Sequence, residues 1–259
     1  MKPFLLLATR AEDAAADNEY EAFLTFAGLD ERDLRRVRLE AAPLDAQVGA
    51  LSLDDWSGII LGGSPYNSSD PDPDKSTVQR RVEHELAVLL DEVVARDAPF
   101  FGACYGVGTL GLHQGAIVDR TFGEPVGPIE VTLTDDGRVD ELFGVLPDTF
   151  DAFVGHKEAV RELPAHAVRL AASATCPVQA FRVGRNVYAT QFHPELDVPG
   201  ICTRIDVYRD AGYFHPREVE DLKARAAASD VRHPPALLRR FVERYARDDA
   251  RGASVTRSG

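Results

Sequence analysis

Cysteine is scarce in this sequence, and the few cysteines stand far apart. Three occur in 259 residues, at Cys104, Cys176 and Cys202. They are too few for a disulfide framework, and none has a metal-ligand spacing to another. The sequence therefore predicts a protein of a reducing compartment, the cytoplasm, with no metal site and no cofactor.

Long apolar runs and an excess of basic residues are missing as well. No run approaches the roughly 20 residues that a membrane-spanning helix requires. The apolar part of residues 1–10 is too short for a signal peptide, and a charged residue follows it too early. The 42 acidic residues outnumber the 29 Lys and Arg residues, so the formal net charge is −13. Such a charge opposes binding to nucleic acid and to anionic membranes. We expect neither as a partner and instead expect small-molecule chemistry.

What the sequence does contain is an alternation of strand-like and helix-like segments. A hydrophobic content of 44% in 259 residues is enough for a large core. Short apolar runs predict buried strands, whereas apolar residues at three- and four-residue spacing predict helices. Strands and helices that alternate in this way form a doubly wound, mostly parallel α/β sheet. The predicted strands are 4–8, 37–40, 58–61 and 99–101, and the predicted helices are 19–26 and 82–94.

The second half of the chain has a different pattern. Four alternating segments predict antiparallel strands at the far edge of the sheet. Charged helical patterns then predict a C-terminal helical extension, residues 201–247, packed on a main domain of residues 1–200. Residues 248–259 lack periodicity and are predicted to be disordered. The four strand segments are 129–134, 150–154, 168–171 and 178–182.

In the segment Gly102-Ala-Cys-Tyr-Gly106, an apolar run ends in a cysteine between glycines. Such a segment predicts a sharp turn from strand to helix, which lifts one side chain out of the core. A thiol beside a helix N-terminus meets the positive end of the helix dipole, which favours the nucleophilic thiolate. The segment alone is equally compatible with Cys104 as a small core residue. Cys176 and Cys202 are expected to be structural.

Far downstream, His193-Pro-Glu195 supplies an imidazole and a carboxylate two residues apart. Residues at this spacing share a face of an extended chain, and Pro194 keeps His193 extended. The two side chains can therefore pair. A cysteine, a histidine that takes its proton and a carboxylate that orients the histidine are the parts of acyl transfer through a thioester.

Together with the glycine turn Gly58-Ile-Ile-Leu-Gly-Gly-Ser-Pro65, these motifs resemble the class I glutamine amidotransferases over residues 3–200. The nearest description is a stand-alone GMP-synthase-like amidotransferase domain. The resemblance implies the flavodoxin-like form of the predicted fold. It also implies a catalytic triad, Cys104, His193 and Glu195.

The resemblance assigns further residues to the site. It implies an oxyanion hole made by the backbone N–H groups of Gly63 and Tyr105, with Gly62 as the alternative donor. The segment 150–160 lies where the family has its substrate strand, and His156 is expected to position substrate without transferring protons. Asp151 and Glu158 are expected to be surface charges. The implied substrate-binding residues are Gly62, Gly155, His156 and Lys157.

One departure from the family leaves the substrate open. Synthetase-linked members have a glutamine that helps to hold substrate where this sequence has Gly108. The first interpretation is an amidotransferase that releases ammonia from glutamine for a separate synthetase. The second is a stand-alone hydrolase of γ-glutamyl amides, and the third is a non-catalytic binding or regulatory module.

A homodimer is allowed by the sequence. The acidic loop 68–75 is expected to be solvated and is a candidate lid.

Overall fold

The computed structural model of the protein describes residues 1–247. The disordered tail predicted at 248–259 lies outside the described residues. The described part forms eleven strands: β1 Phe4–Ala8, β2 Leu34–Arg38, β3 Ile59–Leu61, β4 Phe100–Ala103, β5 Ile117–Asp119, β6 Glu124–Leu133, β7 Thr149–His156, β8 Ala159–Glu162, β9 Ala167–Ser173, β10 Ala180–Val183 and β11 Val187–Thr190. Its eight α-helices are α1 Asp13–Ala27, α2 Leu44–Val48, α3 Thr77–Ala95, α4 Tyr105–His113, α5 Asp135–Val139, α6 Val198–Val207, α7 Val219–Ala227 and α8 Pro235–Tyr245.

Nine of these strands form one sheet in the order β2-β1-β3-β4-β11-β10-β9-β6-β7. The five strands from β2 to β11 are parallel to one another, whereas β10, β9, β6 and β7 continue the sheet from β11 in antiparallel fashion. The parallel part has the strand order of the flavodoxin-like fold, with β11 as its last strand. The predicted α/β fold with an antiparallel edge is therefore confirmed.

The two faces of the sheet are covered by different helices. Helices α1 and α8 pack on one face, where Phe241 of α8 contacts Phe4 and Phe101 at ring-centroid distances of 5.9 and 5.7 Å. Helices α3 and α4 supply the core on the other face. Because Phe241 is fully buried in the main core, α8 is part of the same packing unit as the sheet. The boundary predicted at residue 200 falls inside α6.

The order of the parallel strands determines which of the loops that follow them lie side by side. The carboxyl ends of β3, β4 and β11 are neighbours, since Leu61 pairs with Gly102 and Ala103 pairs with Thr190. In open α/β sheets, ligands bind at this edge. The glycine turn, the cysteine segment and the His-Pro-Glu segment each follow one of these three strands, so they converge there. No helix within residues 1–247 is both long and apolar enough to cross a membrane.

Candidate active site

Cys104 sits on a strained turn between β4 and α4. Its backbone has φ 52° and ψ −84°, a conformation that a residue with a side chain rarely adopts. The glycines on either side make the turn possible, because a Cβ on Gly102 would lie 2.8 Å from the Cα of Gly106. The Cys104 N–H donates to the carbonyl of Thr190 at 2.7 Å, which ties the turn to the end of β11. The sharp turn predicted from the sequence is confirmed.

His193 and Glu195 are paired and almost completely buried. His193 Nδ1 lies 2.7 Å from Glu195 Oε1, and the two residues are 5% and 0% exposed. The His193 N–H donates to the carbonyl of Phe153 on β7 at 2.9 Å, which fixes the segment against the antiparallel part of the sheet. The predicted pairing across Pro194 is therefore present. His193 and Cys104 line the same cavity, so the structure brings this pair together with the cysteine.

The electrostatics of the pair favour the imidazolium form of His193. Burial by itself would lower the pKa of His193, but the charges of Glu195 and Cys104, with their hydrogen bonds to the ring, raise it to about 9. Burial would raise the pKa of Glu195, but His193 and Arg204 hold it far below its usual range. A thiolate beside an imidazolium is the reactive form of a cysteine nucleophile.

A second layer of buried charges supports Glu195. Arg204 Nη2 donates to Glu195 Oε1 at 3.0 Å and lies 3.4 Å from Glu19 Oε1. Arg10 Nε donates to the same Glu19 oxygen at 3.0 Å, and its Nη1 donates to the hydroxyl of Tyr208 at 3.0 Å. Arg10 and Arg204 are 4% and 6% exposed, and both carboxylates are 0% exposed. Two cations thus balance two carboxylates next to the histidine.

The glycine turn after β3 lies against this charge network. A Cβ on Gly62 would be 2.5 Å from Glu19 Oε2, and one on Gly63 would be 2.8 Å from His193 Cε1. The Gly63 N–H donates to Glu19 Oε1 at 3.2 Å. The Tyr105 N–H, at the start of α4, has no acceptor within the described part of the chain. The oxyanion-hole roles of Gly63 and Tyr105 stay predictions, and Gly63 has a competing carboxylate partner.

Cys104 lines two cavities, and one of them, called the polar cavity here, has many polar side chains among its lining residues. The polar cavity has an empty volume of about 310 Å³, including its open mouth. Three of the four residues predicted to bind substrate, Gly155, His156 and Lys157, line it beside Cys104, whereas Gly62 does not. The other lining residues are Ser64, Tyr66, Asn67, Tyr105, Gly108, Glu158, Gln191 and Tyr213.

The side chains of His156 and Lys157 are engaged by the protein itself. His156 Nε2 lies 2.8 Å from Glu124 Oε2, and its Nδ1 lies 2.8 Å from the carbonyl of Glu158. Lys157 Nζ lies 4.2 Å from the ring centroid of Tyr213 and donates to the carbonyl of Ala211 at 3.2 Å. His156 thus orients the segment that carries Glu158, and Lys157 fastens the loop after α6 over the cavity. Their direct contacts with substrate stay predictions.

The expectation that Glu158 is a surface charge is wrong. The residue is 7% exposed, and its carboxylate accepts the N–H groups of Ser68 and Ser69 at 2.8 and 2.7 Å. Because β7 turns into β8 at this point, the side chain points into the site instead of into solvent. The contacts also tie down the start of the acidic loop 68–75, whose lid role stays a prediction.

The second cavity at Cys104 is mainly apolar. Its empty volume is about 470 Å³, including its mouth, and it lies between Cys104 and His193 on one side and the loop and helix that follow residue 196 on the other. The cations Arg10 and Arg204 border it on one side. Its apolar and aromatic walls are Val126, Val154, Leu196, Ile201, Ile205, Tyr208, Tyr213 and Phe214.

Several of these site residues were missed by sequence reasoning. The sequence patterns assign no site role to Glu19, Arg10 or Arg204. The helix that carries Arg204, α6, does have a recognisable start signal, because Asp197 caps it by accepting the Gly200 N–H at 2.8 Å. That signal predicts a helix but not which neighbour Arg204 meets. Within residues 1–247, no group of three or more His, Cys, Asp and Glu side chains is placed to hold a metal ion.

Comparisons with known proteins agree with this geometry. The family model of glutamine amidotransferase class-I matches residues 28–198. A glutamine-hydrolyzing GMP synthase subunit of Thermoplasma volcanium is 30% identical over 167 residues, which cover 64% of this chain and 76% of that protein. A solved glutamine amidotransferase from Thermotoga maritima has a TM-score of 0.70 at 21% identity, over 96% of this chain and 100% of that one. A solved protein from Thermoplasma acidophilum, described as a GMP synthase subunit, has a TM-score of 0.59 at 23% identity, over 85% and 98%. The chain therefore belongs to the class I glutamine amidotransferase family.

Proposed function

We propose that the protein hydrolyses the side-chain amide of glutamine through a thioester on Cys104. The observation that carries the proposal is the convergence of a strained cysteine with a buried His193–Glu195 pair. The thiolate attacks the amide carbonyl carbon, and the imidazolium gives its proton to the departing ammonia. Water then attacks the thioester, with the neutral His193 taking the proton from water, and glutamate leaves. Glu195 orients His193 in both steps.

The oxyanion of each tetrahedral intermediate needs donors beside Cys104. We assign the Tyr105 N–H as the first donor, because no acceptor within residues 1–247 takes it at the start of α4. Gly63 is the second, after its N–H is released from Glu19. Donors aimed at a developing oxyanion lower the barrier by about 3–4 kcal/mol each.

The proposed reaction is tested by replacing the nucleophile. Cys104→Ser is expected to lower glutamate formation from glutamine by about 10³-fold or more, because the serine hydroxyl is far less acidic than the thiol. Cys202→Ser is the matched control, since Cys202 lies on α6, is partly exposed and lines neither cavity. Equal turnover by wild type and Cys104→Ser would contradict the mechanism, as would the absence of turnover in the wild type.

The pH profile gives a second test. Because the pKa of His193 is raised to about 9, the proton needed by the leaving group is present below that pH and is lost above it. The kcat/KM for glutamine is therefore expected to fall on the alkaline side with an apparent pKa of about 9. Glu195→Gln removes the negative charge that raises this pKa, so its alkaline limb should move to lower pH. The exposed Glu130→Gln should leave the profile in place. An unmoved limb in Glu195→Gln would contradict this role of the carboxylate.

The apolar cavity supports a second candidate, the hydrolysis of γ-glutamyl amides whose leaving amine is apolar. Ammonia does not require walls of valine, isoleucine and phenylalanine, whereas an aromatic or aliphatic amine would bury its surface there. Purified protein should be compared on glutamine and on γ-glutamyl anilide. A kcat/KM at least tenfold higher for the anilide would favour the hydrolase over the amidotransferase.

For the amidotransferase, we propose a separate synthetase as the acceptor of ammonia. The support is the similarity to proteins that are named as one subunit of a glutamine-hydrolyzing GMP synthase. Co-purification with a synthetase from the source organism, together with faster glutamine hydrolysis in its presence, would support the proposal. Unchanged hydrolysis with every candidate synthetase would favour the stand-alone hydrolase. The homodimer stays a prediction.

A further inference from the structure

Arg204 brings a buried positive charge into contact with both His193 and Glu195. Its Nη1 lies 3.1 Å from His193 Nδ1, and its Nη2 donates to Glu195 Oε1 at 3.0 Å. The same Glu195 oxygen lies 2.7 Å from His193 Nδ1, so the three side chains form a closed triangle. Arg204 is 6% exposed and Glu195 is 0% exposed. Because little water reaches them, these charges act on one another with little screening.

The fold fixes the guanidinium in this place. Arg204 lies on α6, whose start is capped by Asp197, and α6 packs against α1. From α1, Glu19 Oε1 lies 3.4 Å from Arg204 Nη2. The guanidinium therefore has a carboxylate on each side, and it cannot turn away from His193 without giving up its contact with Glu195.

The charges around His193 oppose one another. Glu195 and the Cys104 thiolate favour the imidazolium, whereas like charges such as Arg204 disfavour it. The charged groups come from the histidine's own segment and from four other places in the fold: Glu195, Cys104 of the β4–α4 turn, Arg10 after β1, Glu19 of α1 and Arg204 of α6. Two tyrosine hydroxyls at the same cavity, those of Tyr208 and Tyr213, stay neutral, because burial raises the pKa of both.

The two half-reactions make opposite demands on His193. The ring must be protonated when ammonia leaves, and it must be neutral when it takes a proton from water. Once the thioester has formed, the thiolate charge is gone, and Glu195 is the carboxylate that still favours the imidazolium. A buried carboxylate at this distance, without a counter-charge, would keep the ring protonated and unable to activate water. Arg204 supplies the counter-charge at the same oxygen.

We propose that Arg204 is a positioning residue: it holds Glu195 against His193 Nδ1 and offsets the carboxylate's charge, so that the histidine can act as acid first and as base afterwards. This inference rests on the proposed function. In the second half-reaction, the water oxygen bonds to the acyl carbon and its proton goes to His193. The C–S bond then breaks and returns the Cys104 thiolate beside the imidazolium.

The test replaces the cation by a neutral donor. Arg204→Gln loses the charge but keeps an amide that can donate to Glu195. The alkaline limb of kcat/KM for glutamine should move to higher pH by about one unit, because a nearby cation no longer disfavours the imidazolium. Glu195→Gln should move the same limb in the opposite direction. The sign of the shift therefore separates the two roles.

The water step of Arg204→Gln gives a second readout. At neutral pH this step should slow by about tenfold, because a smaller fraction of His193 is neutral. The thioester should then accumulate, so ammonia is released in a burst that precedes the release of glutamate. Rapid quenching followed by mass spectrometry of the protein measures the acyl-enzyme directly. A purely structural role of Arg204 would lower the rates at every pH without moving the limb.

Three further variants serve as controls. Arg204→Lys keeps the charge and should keep the limb near that of the wild type. Glu195→Gln/Arg204→Gln removes both opposing charges and should bring the limb back towards that of the wild type. Arg209→Gln should leave the pH profile unchanged, because Arg209 follows α6, is about half exposed and pairs with Asp206.

A charge-balanced pair covers the case in which Arg204→Gln does not fold. Glu19→Gln/Arg204→Gln removes one charge of each sign, and its alkaline limb should lie at higher pH than that of Glu19→Gln alone. In an active enzyme, a limb that stays in place or moves to lower pH on loss of Arg204 would overturn this role and leave the triad mechanism standing. Failure of the wild type to hydrolyse glutamine and every γ-glutamyl amide would overturn both.

Discussion

Replacing His193 by glutamine is expected to lower kcat for glutamine hydrolysis by about 10⁴-fold or more, while the protein remains folded. In the proposed mechanism, the imidazole protonates the leaving ammonia and later deprotonates water. A glutamine side chain can donate a hydrogen bond to Glu195 but cannot transfer a proton. The measurement is single-turnover and steady-state release of glutamate, with the circular dichroism spectrum as the check on folding.

The same experiment can test whether the cysteine and the histidine act as one unit. Residues that act together give strongly non-additive losses. The double variant Cys104→Ser/His193→Gln should therefore be about as inactive as either single variant. His166→Gln is the matched control. His166 is exposed, lies far from Cys104 in the sequence, and its Nε2 is 2.9 Å from the side-chain oxygen of Gln114. A loss below tenfold in His193→Gln, or losses that multiply in the double variant, would contradict the assigned role.

Replacing Glu19 by alanine is expected to lower the free energy of unfolding by about 3–5 kcal/mol, the cost of breaking a buried ion pair by removing one partner. Glu19 accepts hydrogen bonds from Arg10 and from the Gly63 N–H, and Arg204 lies within 3.4 Å of the same oxygen. Without it, Arg10 has no carboxylate partner among residues 1–247, Arg204 keeps only Glu195, and the Gly63 N–H loses its acceptor. Denaturant unfolding followed by fluorescence measures the change.

A control on the same helix distinguishes the buried network from ion pairs in general. Asp17 of α1 pairs with Arg36 at 2.8 Å, but its side chain is 60% exposed. Exposed pairs contribute about 0–1 kcal/mol, so Asp17→Ala should be nearly neutral. The double variant Arg10→Met/Glu19→Leu, which removes both charges, should recover part of the stability lost in Glu19→Ala. Equal small losses in Glu19→Ala and Asp17→Ala would show that the network does not stabilise the fold.

Much of the fold was predictable because its signals are local. The apolar run before Cys104, the glycines around it and the proline after His193 each constrain only their own few residues of backbone. Their conformations in the structure follow those constraints, including the positive φ of Cys104. The alternation of strands and helices likewise predicted the parallel sheet, and period-two segments predicted its antiparallel edge.

The missed contacts are those between residues that are distant in sequence. Glu19 and Arg204 are separated by 185 positions and meet only because α1 and α6 pack together. Helical spacing identifies Glu19 as part of a helix, yet a buried glutamate has no local signature. The burial of Glu158 was missed for the same reason, since it depends on the backbone of Ser68 and Ser69, about 90 residues earlier.

The sequence by itself determined the family and the three strand-end motifs, and it predicted the residues of the proposed triad, because these depend on short segments whose glycines, proline and reactive side chains act locally. Only the tertiary structure decided what surrounds the triad: the charge network behind His193, the buried carboxylate of Glu158 and the apolar cavity under the loop after α6. The physical reason is that burial and charge pairing are properties of the packed chain. They arise where distant segments exclude water together.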